Sequence, residues 1–179
     1  MKKYVLTLVL TTLLAAASFA QTDKTGKFGI GIDDVNSPNL AVKYFFNDKV
    51  ASEFLVGFNL YSPGGDAPAG YTKVTGTDFR VGLSLLYHFS TGDFSPYVGV
   101  DGLFETNKAG GFYSIEPDAK NSVQANLVLG GEYFIAKQFS VGLKEKLGAD
   151  IKLSRDVPKE ETDVYMNTST VVTARFYFN

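Results

Sequence analysis

Residues 78–89 read Asp-Phe-Arg-Val-Gly-Leu-Ser-Leu-Leu-Tyr-His-Phe. Phe79, Val81, Leu83, Leu85, Tyr87 and Phe89 share one parity, while Asp78, Arg80, Gly82, Ser84 and His88 share the other. Six apolar residues in succession at period two predict a strand with one apolar and one polar face. A helix would scatter the same residues around its axis.

The same alternation extends outward in both directions. Towards the start, Phe28, Ile30 and Ile32 oppose Gly29 and Gly31. Leu40, Val42, Tyr44 and Phe46 oppose Ala41, Lys43 and Phe45, and Val50, Phe54, Val56, Phe58 and Leu60 oppose Glu53, Gly57 and Asn59. Towards the end, Val98, Val100 and Phe104 face away from Tyr97, Asp101 and Glu105. Val123, Leu127, Leu129 and Tyr133 face away from Gln124, Asn126 and Glu132. Phe139, Val141, Leu143, Leu147 and Ile151 oppose Ser140, Lys144, Lys146 and Asp150. Met166, Val172, Ala174, Phe176 and Phe178 oppose Asn167, Ser169, Thr173, Arg175 and Tyr177. The pattern predicts an all-β chain of eight strands.

The connectors carry the topology. Asn47-Asp48-Lys49, Ser90 to Ser95 and the stretch near Ala136-Lys137 are tight turns, whereas Ser62 to Thr75, Thr106 to Asn121 and Ser154 to Asp163 are longer polar links. Asp33 to Asn39, at the same end as the long links, is the exception, shorter than the rest of its set. Short turns at one end and long loops at the other describe an antiparallel up-and-down transmembrane barrel, with both termini on the turn side. The six prolines fall in links or at strand starts, where no ladder donor is lost.

The first twenty residues read as an export address. Met1-Lys2-Lys3 is a positive start, Val5 to Ala17 is apolar apart from three threonines, and Ser18-Phe19-Ala20 offers a small-residue cleavage site. Residue 21 is Gln, so no lipoprotein acceptor cysteine follows. The expected division is a signal peptide at 1–20 and a barrel domain at 21–179.

Composition narrows the function. The 179 residues include no Cys, one His, 10 Tyr and 15 Phe, with a net charge of −2. Without cysteine there is no disulfide framework, thiolate metal site or cysteine nucleophile. Without a basic excess there is no reason to expect a nucleic-acid partner.

Alternation alone does not separate a membrane barrel from a soluble, lipocalin-like ligand-binding barrel with its faces reversed. The content of each face does. The polar face combines Gly, Ser and Asn with charges of both signs: Glu53, Asp78, Arg80, Asp101, Glu132, Lys144, Lys146, Asp150 and Arg175. A balanced set of this kind suits a filled lumen with a self-neutralising network. Tyr44, Phe46, Tyr87, Phe89, Phe94, Tyr97, Tyr133, Phe139, Phe176 and Phe178 map to the turn end and are expected to form an aromatic girdle. One residue breaks the pattern. Glu145 shares parity with Val141, Leu143 and Leu147, so a bulge nearby or a place at the rim is expected.

Val81-Gly82-Leu83-Ser84-Leu85-Leu86-Tyr87-His88-Phe89, Pro96-Tyr97-Val98-Gly99-Val100 and the ending Thr173-Ala174-Arg175-Phe176-Tyr177-Phe178-Asn179 resemble the small outer-membrane β-barrel families. These include the porin-family outer membrane protein β-barrel domain and the OmpX-like and OmpA transmembrane barrels. The resemblance implies a Gram-negative outer-membrane location, outer-membrane lipid as surroundings, and recognition of the last strand by the barrel assembly machinery through Phe176 and Phe178. Asn179 departs from the terminal aromatic of that pattern.

Candidate chemistry is sparse. His88-Phe89-Ser90 is similar to the His-x-Ser of outer-membrane lipid A deacylases, but the predicted position is at the turn end of the lumen rather than at the outer leaflet. Asp101 and Glu105 share a face with basic residues across the lumen, and 156–163 lacks the spacing of a calcium loop. No cofactor, metal or catalytic residue is expected. The reading is a monomeric, non-enzymatic envelope-structural or surface-interaction protein. Tyr71, Phe112 and Tyr113 are its candidate anchors for an unknown extracellular partner. A narrow pore for ions or small solutes is the principal alternative, and a lipid-modifying enzyme and the soluble barrel are others.

Overall fold

A computed structural model of the chain describes residues 24–34, 38–113, 119–153 and 163–178. The segment 1–20 read as a signal peptide lies outside the described residues, as do parts of the links at 33–39 and 106–121 and nearly all of 154–163.

The described chain is built of strands. In order they are β1 (Phe28–Asp33), β2 (Asn39–Phe45), β3 (Val50–Tyr61), β4 (Thr72–Val74), β5 (Gly76–His88), β6 (Phe94–Lys108), β7 (Gly111–Tyr113), β8 (Lys120–Ala136), β9 (Phe139–Leu153) and β10 (Asp163–Phe178). Eight of them close into a barrel in the order β1-β10-β9-β8-β6-β5-β3-β2. Every neighbour is antiparallel, and the closing pair sets Phe28 opposite Phe178. Closure leaves no open edge, as backbone in a hydrocarbon environment demands.

The tight turns follow β2, β5 and β8. In the first, the Asn47 side-chain oxygen accepts from the Lys49 and Val50 amides at 2.9 Å each, an Asx turn that ties the two strands. In the second, Ser90 Oγ accepts from the Gly92 amide at 3.1 Å.

The faces sort as the parity requires. Leu83, Leu85, Leu127, Leu129 and Leu143 are exposed on the outer wall, whereas Lys43, Glu53, Glu132, Lys144 and Arg175 are buried within. This is the membrane arrangement, and the lipocalin-like alternative with its apolar face inward is overturned.

Two expectations need correction. The links at 62–75 and 106–121 are not wholly irregular. β4 and β7 pair in a two-stranded ribbon, Thr72 opposite Tyr113 and Val74 opposite Gly111. This ribbon prolongs the β5–β6 ladder past the barrel rim, where Thr77 pairs with Lys108. At the junction Gly76 meets Gly110 so closely that a Cβ on Gly76 would stand 2.7 Å from the Gly110 nitrogen. Strand length explains the projection. β6, β8, β9 and β10 have 15, 17, 15 and 16 residues. At about 2.5 Å of height per tilted residue such strands reach roughly 40 Å, past a hydrocarbon core of about 30 Å.

The second correction concerns Glu145. β9 pairs without interruption from Phe139 to Leu153, and the register shift in this wall falls at Phe134/Ala136 instead. Glu145 is therefore neither bulged nor at the rim but projects outward between Leu143 and Leu147. Thr170, opposite it on β10, donates its hydroxyl proton to Glu145 Oε2 at 2.6 Å. A hydrogen-bond partner on the next strand lets the carboxyl stay on this face without bending the ladder.

Candidate functional site: the cross-braced lumen

Three carboxylates and three cations occupy the lower and middle lumen. Glu132 on β8 accepts from Lys43 Nζ at 2.8 Å, from Ser140 Oγ at 2.6 Å and from the Tyr177 hydroxyl at 2.6 Å. Arg175 Nη1 lies 3.7 Å from the same carboxylate. Glu53 on β3 is held by Lys144 and by Arg175. Asp33 on β1 completes the set, with its Oδ1 3.0 Å from Lys144 Nζ and 3.4 Å from Arg175 Nη2. Arg175 also donates to Thr173 Oγ1 at 2.8 Å.

Strand order gives these pairs their meaning. β2 and β8 are four places apart around an eight-stranded ring, and so are β3 and β9. Lys43–Glu132 and Lys144–Glu53 therefore span the full width of the lumen. Charges withdrawn from water are tolerable only when paired and further hydrogen-bonded, and each of these is.

Above them a wetter layer continues the network. Lys146 Nζ lies 2.6 Å from Asp101 Oδ2, and Asn126 donates to Asp101 Oδ1 at 2.7 Å. Arg80 pairs with Asp78, and its Nε lies 3.3 Å from Glu105. Asp150 is half-buried on the same inward row of β9.

Below them an aromatic layer closes the turn end. His88 packs at a tilt against Phe45 and Tyr97, with ring centroids 5.0 and 4.9 Å apart, and Tyr177 lies between Phe45 and Phe134. Lys43 Nζ sits 5.1 Å from the Tyr97 ring. Ahead of β1, Lys24 inserts its amine over the Phe134 ring at 4.6 Å. The Lys24 amide bonds Asp48 at 2.8 Å, and the Gly26 amide bonds the Phe45 carbonyl at 2.9 Å. Burial brings the Lys24 amine down to about 8, against a partial pull upward by the Glu132 charge.

The His88 geometry bears on the deacylase pattern. His88 Nδ1 is 2.7 Å from Ser95 Oγ, while Ser95 Oγ donates its own proton to the Ser90 carbonyl at 2.6 Å. The imidazole is therefore the donor in the His88–Ser95 contact, the reverse of a base drawing a proton from a nucleophile. Ser90 Oγ is turned to Gly92, and His88 is fully buried.

All nine charges named from the sequence lie on the inward rows. Lys43 and Asp33 also belong to the braces, and the sequence pattern does not single them out: Lys43 sits in a mostly apolar strand, and Asp33 stands at the last position of β1, where strand passes into link. Of the aromatics, Tyr44, Phe46, Tyr87, Phe89, Tyr133, Phe139, Phe176 and Phe178 are exposed on the outer wall near the turn end. Contacts such as Tyr44–Phe46 at 5.3 Å and Phe176–Phe178 at 5.2 Å join some of them. Tyr97 is the exception and a correction. It is 2% exposed, inside the lumen over Gly130 on the neighbouring strand, where a missing side chain leaves room for its ring. Tyr71 is exposed, and Phe112 and Tyr113 are half-buried in the ribbon.

An eight-stranded barrel that turns its apolar side chains outward and braces a charged interior is an outer-membrane β-barrel protein of the Gram-negative envelope. An outer-membrane relative agrees with that class, and a solved barrel agrees with the fold. An uncharacterized outer-membrane protein of Sinorhizobium fredii, y4mB, is 28% identical over 136 residues, 67% of this chain. The match spans 55% of that relative's length. Among solved structures, the N-terminal β-barrel domain of Pseudomonas aeruginosa OprF superposes with a TM-score of 0.59 at 15% identity, covering 88% of this chain and all of that one. The attachment invasion locus protein Ail of Yersinia pestis aligns over 86% of this chain and 99% of its own, at 16% identity and a TM-score of 0.40. No family model matches the chain.

Proposed function

We propose that this protein is a non-enzymatic, closed outer-membrane barrel that serves envelope structure and presents extracellular loops, rather than a pore. The observation that carries this reading is the pair of braces Lys43–Glu132 and Lys144–Glu53, which join opposite walls across the section a solute would have to traverse. Eight strands leave an interior only wide enough for side chains, and here those side chains are interlocked by charge. Tyr71 and the β4–β7 ribbon are the parts offered to an extracellular partner. Phe176 and Phe178 are the aromatics that the assembly machinery would read in the last strand.

The test is single-channel recording in planar bilayers, with the folded protein verified by its gel mobility shift on boiling. No steady conductance is expected. Reproducible unitary steps would overturn the closed reading in favour of a narrow pore. For the enzymatic alternative, the donor role and burial of His88 support the same conclusion. Replacing His88 with Ala should leave the envelope lipid profile unchanged, and a lost lipid species would refute the non-enzymatic assignment.

A further inference from the structure

The wall formed by β8, β9 and β10 carries a polar group where a membrane-facing surface has no use for one. Glu145 lies six positions along β9 from Phe139, about 15 Å above the turn-end aromatics for a tilted strand and so well inside an apolar band of about 25 Å. Leu143 and Leu147 flank it on its own strand, and Leu129 stands opposite on β8. Thr170 stands opposite on β10, and Thr168 is the next outward residue of that strand. The single Thr170 hydroxyl proton goes to Glu145 Oε2. This leaves Glu145 Oε1 as an outward acceptor and the Thr168 hydroxyl as a donor without a partner among the described residues. Acyl chains satisfy neither. Ionisable groups held at this depth are rare and mark sites of interaction.

We propose that this patch is an intramembrane contact between two copies of this chain, wall against wall across β9 and β10. Two copies inserted in the same sense are related by an axis along the membrane normal, which brings residues of similar depth face to face. Such an isologous contact must be self-complementary. Glu145 supplies the acceptor, and Thr168 and Thr170 supply hydroxyls within two residues of it along the neighbouring strand. Glu145 thus meets the partner subunit's Thr168, and the reverse contact forms in the same step. A cationic partner would take the carboxylate alone and leave Thr168 unserved. Neither β9 nor β10 turns a Lys or Arg outward at this depth to neutralise Glu145 within one copy. The inference goes beyond the closed-barrel reading, does not depend on it, and replaces the monomer expected from the sequence.

The chain has no cysteine, so single-cysteine variants report proximity directly. Leu143→Cys and Leu147→Cys flank the patch, and Phe54→Cys on β3 sits on the diametrically opposite wall. Outer membranes holding each full-length variant are oxidised with copper-phenanthroline and run on non-reducing gels. Both β9 variants should give a band at twice the monomer mass, and Phe54→Cys should not. Adding Glu145→Leu to either β9 variant should cut that band about tenfold, the loss of two intramembrane hydrogen bonds, while Glu145→Gln, which keeps the acceptor oxygen, retains it. The boiling shift shows that each variant is folded. The proposal is overturned by no dimer from either β9 position, by equal yields from both walls, by a band indifferent to Glu145→Leu, or by cross-linking to a protein of another mass.

Discussion

Replacing Arg175 with Met removes the cation shared by three carboxylates while keeping the length of the side chain. In the native lumen Arg175 serves Glu53, Asp33 and Glu132, all fully or almost fully buried. After the change Lys144 still serves Glu53 and Asp33, and Lys43 still serves Glu132, so three buried carboxylates face two cations. Breaking a buried ion network by deleting one partner costs about 3–5 kcal/mol, because the remaining charge stays desolvated and underpaired. Arg175→Met should therefore lose about 3–5 kcal/mol in urea unfolding from lipid vesicles, followed by the gel mobility shift. Adding Glu53→Gln should return part of the loss, since the surplus charge goes with it. Glu105→Gln supplies the internal scale. Its pair with Arg80 is at the wetter end, with side chains 20% and 18% exposed, and its loss should cost about 1 kcal/mol. If Arg175→Met costs no more than Glu105→Gln, the braces are not what holds the lumen together.

Other perturbations test other parts. Gly130→Ala would place a Cβ 2.5 Å from the Tyr97 ring and should destabilise the barrel by about 1–3 kcal/mol in the same unfolding assay. Tyr97→Phe should be close to neutral there, because the buried hydroxyl has no hydrogen-bond partner among the described residues. Leu127→Arg puts a charge on the membrane-facing wall and should cost about 2–4 kcal/mol, read as a lower urea midpoint. Lys24 has a folded-state value of about 8, below the ordinary 10.5, so between those limits the unfolded chain holds more protons. Its contribution makes stability rise as pH increases from about 8 towards 10.5. Lys24→Met should flatten that rise, and an unchanged slope would refute the burial of a charged amine among rings.

Legibility in the sequence followed the strength of the local pattern. The strands and their facing could be read because a side-chain period of two is a local property, and 78–89 displays it without a break. The charges Glu53, Lys144 and Arg175 could be placed inside by parity, but their partners could not. Pairing across the lumen depends on which strands stand opposite after closure, and sequence spacing does not give that. Nearness to a turn groups Tyr97 with the girdle, although its parity with Asp101 points inward; the space over Gly130 makes that inward place possible. The ribbon of β4 and β7 is not legible, because three-residue strands carry too little alternation. Glu145 was the opposite case. Its outward parity holds, and where a charge on the apolar face argues for a bulge, the Thr170 hydroxyl instead keeps the carboxyl in place on a regular strand.

The braces also bear on how such a chain enters a membrane. Lys43 and Glu132 are 89 residues apart, Glu53 and Lys144 are 91 apart, and Asp33 and Arg175 are 142 apart. No hairpin contains any of these pairs: in an unrolled sheet Lys43 and Glu132, like Glu53 and Lys144, stand four strands apart, and Asp33 and Arg175 meet only when β1 joins β10, so a half-built barrel carries these charges unmatched and wet. Such an intermediate cannot leave water with its polar face open, because hydrocarbon would strip ions that have no counterpart. Neutralisation, dehydration and the joining of β1 to β10 are thus bound into one event, and the lumen acts as a checkpoint that only the correctly ordered ring of strands can pass.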